Sequence, residues 1–95
     1  MDQDSEALKL YEKITRWKEF QPEDLQANFD VLITRNRIEV VNKKIGALEI
    51  DVEASDQFSV REPRKELKTV SESEMLAAVK QWFGFPSYPP PSGRD

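Results

Sequence analysis

Glu49, Asp51 and Glu53 place three carboxylates at every second position, with Ile50 and Val52 between them. Clustered acids can hold a divalent cation or work as an acid and base pair, so chemistry would be sought here first. A period of two, however, belongs to an extended strand, and it sets neighbouring acids on one face roughly 6.6 Å apart. That spacing suits separate exposure to solvent better than joint ligation of one ion. A carboxylate pair for glycoside cleavage is compatible with the distance, but nothing around it suggests a sugar cleft. Residues 47–54 thus read as a half-buried strand. Its aliphatic groups turn inward, and its acids pair outward with Arg37, Arg61 or lysines on neighbouring strands.

Other catalytic groups are scarce. The chain has no histidine and no cysteine, which removes the commonest general base, the commonest metal ligand, thiolate sites and disulfides. None of the serines lies in a Gly-x-Ser-x-Gly elbow, and the three glycines, at 46, 84 and 93, are too scattered to write a phosphate-cradling loop. The expectation is a protein without catalytic activity and without a cofactor.

Binding is better represented. Residues 82–91 read Trp-Phe-Gly-Phe-Pro-Ser-Tyr-Pro-Pro-Pro, and a proline-rich segment of this kind loses little entropy when it docks in an aromatic-lined groove. Phe85, Tyr88, Pro89 and Pro90 are its candidate partner-binding residues; packing back onto its own domain is the other use of the same side chains. The acidic strand face of Glu49, Asp51 and Glu53 is a second candidate partner surface. Arg61, Arg64, Lys65 and Lys68 cluster before the last helix and could hold a phosphate backbone, although most aromatics that would stack on bases fall on core positions.

The elements that must carry these groups follow from apolar spacing. Ala7, Leu10, Tyr11, Ile14 and Trp17 recur at three and four residues, which predicts a helix over 4–20 that ends at Gln21-Pro22. Pro22 and the acids after it can open a short helical turn. Residues 29–34, 37–41, 47–54 and 57–61 alternate as strands, with two-residue turns at Arg35-Asn36, where Asn36 would take positive φ, and at Ser55-Asp56. The polar stretch 62–70 reads as a loop anchored by Leu67 and Val70. Ser71 and Glu74 have capping-box spacing, Val70 and Met75 that of a hydrophobic staple, and Gly84 with Pro86 stops the second helix. Its stripe is Met75, Leu76, Val79, Trp82 and Phe83.

The sum is an α+β fold in two layers: an N-terminal helix, an antiparallel meander of three to four strands, a C-terminal helix and an extended Pro-rich tail. Residues 1–85 form one domain and 86–95 a flexible tail. Trp17, Phe29, Ile33, Ile50, Val52, Phe58, Val79 and Trp82 are expected to form most of the core. With 95 residues and a formal charge of -4, one core is the limit. The acidic balance argues against nucleic acid held by net charge. The acidic first residues are unlike a secretory signal, and no apolar run approaches a bilayer span, so a cytoplasmic location is expected. The functional expectation is a small acidic protein–protein interaction module, an accessory subunit, adaptor or inhibitor, whose partner could be a second copy of itself. The alternative is a nucleic-acid-associated regulator using the basic loop 61–68.

Overall fold

Helix α1 (Gln3–Glu19) buries Ala7, Leu10, Ile14 and Trp17, the stripe its apolar spacing calls for. The computed structural model describes residues 3–86, 88 and 89. Asp4 and Glu6 lie in the first turn of α1 and Arg16 and Lys18 in the last, the arrangement that the helix dipole favours. A single turn, α2 (Glu23–Gln26), follows Pro22, and the Gln26 side-chain amide fastens it by donating to the Gln21 carbonyl at 2.6 Å.

Five strands form one antiparallel sheet in sequence order: β1 (Phe29–Thr34), β2 (Arg37–Asn42), β3 (Gly46–Ala54), β4 (Gln57–Arg61) and β5 (Lys68–Val70). Together with the two long helices they make the expected α+β fold, with one strand more than the alternation predicts. Residues 68–70 are not loop but a short strand, in which Val70 stands opposite Phe58 and Lys68 opposite Val60. Three residues carry too little alternation to announce a strand. The pairing comes from β4, which offers its free edge.

The turns also differ in detail. Arg35, not Asn36, takes the left-handed conformation, with φ 55, because Asn36 is held in place by β3. The Asn36 carbonyl accepts from the Val52 amide at 2.9 Å, and its side-chain amide donates to the Val52 carbonyl at 2.9 Å. Asp56 adopts φ 58 in the β3–β4 turn. Its carboxylate then accepts from the Glu72 amide at 2.9 Å and satisfies a donor in the first turn of the last helix.

That helix, α3 (Glu72–Phe83), starts in a complete capping box between Ser71 and Glu74 and ends at Gly84, whose φ of 65 is the left-handed cap that glycine adopts without steric cost. Helices α1 and α3 cover the same face of the sheet. Between them and the strands Ile14, Ile38, Val40, Leu48, Ile50, Val52, Met75 and Val79 are fully enclosed. Of the expected core, Ile33 and Trp82 are only partly buried: Ile33 lies on an edge strand, and Trp82 turns its indole N–H to the Gly46 carbonyl at 3.1 Å. Asn42, buried on the covered face, donates to the Trp82 carbonyl at 3.1 Å and so ties the end of α3 to the β2–β3 turn. No helix among the described residues is long and apolar enough to cross a membrane.

Candidate functional site

Because side chains alternate along a strand, covering one face leaves the residues between the core positions bare. The strand register sorts the open face into rows: Leu32, Glu39, Glu49 and Arg61 in one, Thr34, Arg37, Asp51 and Ser59 in the next. Glu49, Asp51 and Glu53 all lie on this face, as their period of two requires. Arg37 grips Asp51 with two hydrogen bonds, Nε to Oδ1 at 2.8 Å and a terminal nitrogen to Oδ2 at 3.2 Å. Hydrogen bonding to Asp51 and the charge of Asp51 push the Arg37 guanidinium above its already high ordinary pKa. Arg61 hydrogen-bonds Glu49, and the Ser59 hydroxyl donates to Glu53 at 2.8 Å. Glu53 sits where the β3–β4 register shifts between Val52 and Ala54, an irregularity that turns its side chain toward Ser59.

These contacts order the acids into a sheet surface; they do not aim them at one point. Among the described residues no group of three or more such ligands could hold a metal ion. Glu39 stands directly opposite Glu49 in the β2–β3 register, a like-charge juxtaposition that destabilises a sheet unless something neutralises it. Arg61 and Arg37 both contact Glu49. Asp30, Glu39, Glu49, Asp51 and Glu53 on this face face only Arg37 and Arg61 as strand cations, so the surface is net acidic.

Three of the four basic candidates, Arg61, Arg64 and Lys65, line one cleft together with the acids Glu49 and Glu62, and Lys68 stands apart from them. Lys68 shares its face with its register partner Val60, a core residue, whereas Arg61, the next residue along β4, points to the open face. The two cations are therefore on opposite sides of the sheet, and Arg61 is already engaged by Glu49. Arg64, at φ 66, and Lys65, 3.6 Å from Glu62, remain in the loop. They line a shallow cleft of about 440 Å³ with Ala47, Glu49, Arg61 and Pro63. Its mixed charge does not single out a phosphate.

The aromatic end of the chain folds back on the domain. Phe85 is buried, stacked on Phe83 with ring centroids 4.5 Å apart and edge-on to Phe29 at 4.7 Å. Tyr88 meets Trp17 edge to face at 5.3 Å and donates its hydroxyl to the Lys80 carbonyl at 2.8 Å. The Lys80 ammonium lies over both rings, 5.3 Å from Trp17 and 5.2 Å from Tyr88, a cation–π arrangement. Burial pushes the Tyr88 phenol above its ordinary pKa. Of the candidate tail residues, Phe85 is thus enclosed, Tyr88 engaged and Pro89 half-buried, while Pro90 lies outside the described residues. Packing runs past residue 85 to Tyr88, which straps α1 to α3. The sequence signal for the strap was present in Trp17 and Lys80, but their meeting depends on helix placement.

No family model matches this chain, and no curated protein or solved structure matches it.

Proposed function

We propose that the protein is a non-catalytic interaction module that presents the open face of its sheet to a basic surface on a protein partner. The observation that supports this reading is Glu39 opposite Glu49 in the centre of a net acidic face. Arg61 and Arg37 already offset part of the charge of Glu49, and Glu39 beside it keeps the centre of the face acidic. A lysine or arginine from a partner, set between the two carboxylates, would turn the repulsion into charge-assisted hydrogen bonds. The ordered frame of Arg37–Asp51 and Ser59–Glu53 contacts would hold the neighbouring acids ready, which lowers the ordering cost of association. Accessory subunit, adaptor and inhibitor are three biological uses of one such surface, and in the inhibitor case the acids would occupy a site built for nucleic-acid phosphates.

The test is recovery of the tagged full chain from its native extract, with and without nuclease, followed by analysis of the retained protein and nucleic acid. The reading expects a stoichiometric protein partner that survives nuclease and leaves as salt is raised. Nuclease-sensitive recovery, or nucleic acid alone, would favour the basic loop instead. In that case replacing Arg61, Arg64, Lys65 and Lys68 would abolish the interaction.

A further inference from the structure

The two edges of the sheet are built differently. Strand β5 is three residues long, carries Lys68 and follows a loop containing Pro63, and each of these features discourages further pairing. Strand β1 has six residues, no proline and an unbroken register with β2. Among the described residues no strand pairs with its other side.

The direction of its free backbone groups follows from two hydrogen bonds. Lys43 donates to the Asn28 carbonyl, and Val52 donates to the Asn36 carbonyl, both at 2.9 Å. Antiparallel strands alternate hydrogen-bonded and non-hydrogen-bonded pairs. Asp30, Leu32 and Thr34 therefore bond to β2, and the amides and carbonyls of Phe29, Val31 and Ile33 point outward. Lys18 of α1 reaches around one end of this edge to Asp30, 3.9 Å away, which leaves residues 31–34 as its open part.

The side chains beside that open part are apolar. Leu32 is 52% exposed on the open face, while Val31 and Ile33 are only partly buried on the covered one. On α1, Leu8, Tyr11, Thr15 and Lys18 recur at steps of three and four, one stripe of the helix whose last member reaches Asp30. Leu8 is 48% exposed, and the buried Thr15 hydroxyl has no hydrogen-bond partner.

We infer that β1 pairs antiparallel with β1 of a second copy, about a two-fold axis at Leu32, to give a continuous ten-stranded sheet. This rests on the reading of the protein as an interaction module and names one of its partners. The register is self-complementary. Leu32 meets Leu32 of the second copy at a non-hydrogen-bonded position, where strands approach to about 4.5 Å between Cα atoms. Val31 meets Ile33 of the second copy through the outward amides and continues the core row, and the Asp30–Lys18 pair lies at each end of the contact beside Thr34 of the second copy. A different extended peptide could also add to an edge strand, but the symmetric register sets the one exposed apolar residue of the strand, Leu32, against its own copy, places no like charges opposite one another, and so favours a second copy. The two-fold axis makes the contact isologous and closed, so association stops at the dimer.

The test is sedimentation equilibrium of the purified full chain over a wide concentration range, with hydrogen exchange measured at its two ends. A reversible dimer is expected, with slower exchange of the Val31 and Ile33 amides at high concentration and no change at β5. Leu32→Lys sets two ammonium groups face to face and should weaken the dimer at least tenfold while leaving the melting temperature of the monomer, measured at low concentration, unchanged. Leu67→Lys, an exposed residue beside β5, should leave the dimer intact. A chain that stays monomeric at every concentration, or a dimer unaffected by Leu32→Lys, overturns the inference. A monomer that still captures a protein from extract through its acidic face would leave the proposed function standing. A dimer lost when Glu49, Asp51 and Glu53 are neutralised, but not with Leu32→Lys, would move self-association from the edge to the face.

Discussion

Ile50 and Asp51 are adjacent in β3 and point in opposite directions: one is fully enclosed beneath the helices, the other is gripped by Arg37 on the bare face. The comparison of these two faces separates the two demands on the chain. The covered face removes aliphatic surface from water, which is the main favourable contribution to folding. The open face holds ion pairs that water already solvates well, and such pairs contribute little to stability. That surface charge is of little use to folding. Under the proposed function it serves recognition.

Substitutions should divide along the same line. Ile50→Ala leaves a cavity at the centre of the covered face and should destabilise by about 4 kcal/mol, measured by denaturant unfolding. Phe85→Ala removes a ring that stacks on Phe83 and packs on Phe29. Its position near the end of the packed chain lets neighbours collapse, so about 3 kcal/mol is expected; a loss under about 1 kcal/mol would detach this residue from the core. Ser71→Ala deletes the side-chain half of the capping box and should cost about 1 kcal/mol. Asp51→Ala, next to Ile50, should change stability by about 0.5 kcal/mol, and a loss comparable with that of Ile50→Ala would erase the contrast between the faces.

Tyr88 gives the smallest effect and a sign that can be checked. Its phenol titrates at a higher pH in the folded chain than when unfolded. The protonated form is thus favoured by folding, and its contribution is complete below about pH 10, the unfolded value, and is lost as pH rises through the folded one. Thermal melts at increasing alkalinity should show a loss of stability that Tyr88→Phe reduces. An identical pH dependence in both proteins would remove Tyr88 from that account.

Much of this arrangement was legible in the residues. The helix stripes, the alternation of β1 to β4, the Ser71–Glu74 box, the glycine stop and the outward pairing of the acids with Arg37 and Arg61 are all local patterns whose physical cause lies within a few residues or one strand register. What was not legible depends on distant partners. Strand β5 forms because β4 offers an edge. Arg35 takes the strained turn position because Asn36 is bound to Val52. The basic quartet divides because the β4–β5 register turns Arg61 and Lys68 to opposite faces. Tyr88 finds Trp17 only once α1 and α3 lie side by side. The residues of the acidic face could be named in advance, but the Glu39–Glu49 opposition at its centre could not, since it needs the register of β2 on β3.

The most direct test of the separation between faces is a paired measurement on the triple variant Glu49→Gln, Asp51→Asn and Glu53→Gln, which keeps side-chain shape and removes charge. The melting temperature and the capture of protein from native extract are measured on the same preparation. The account predicts a melting temperature within a few degrees of the wild-type chain and loss of the captured partner. Retained capture, or a collapse of stability as large as that from Ile50→Ala, would contradict it.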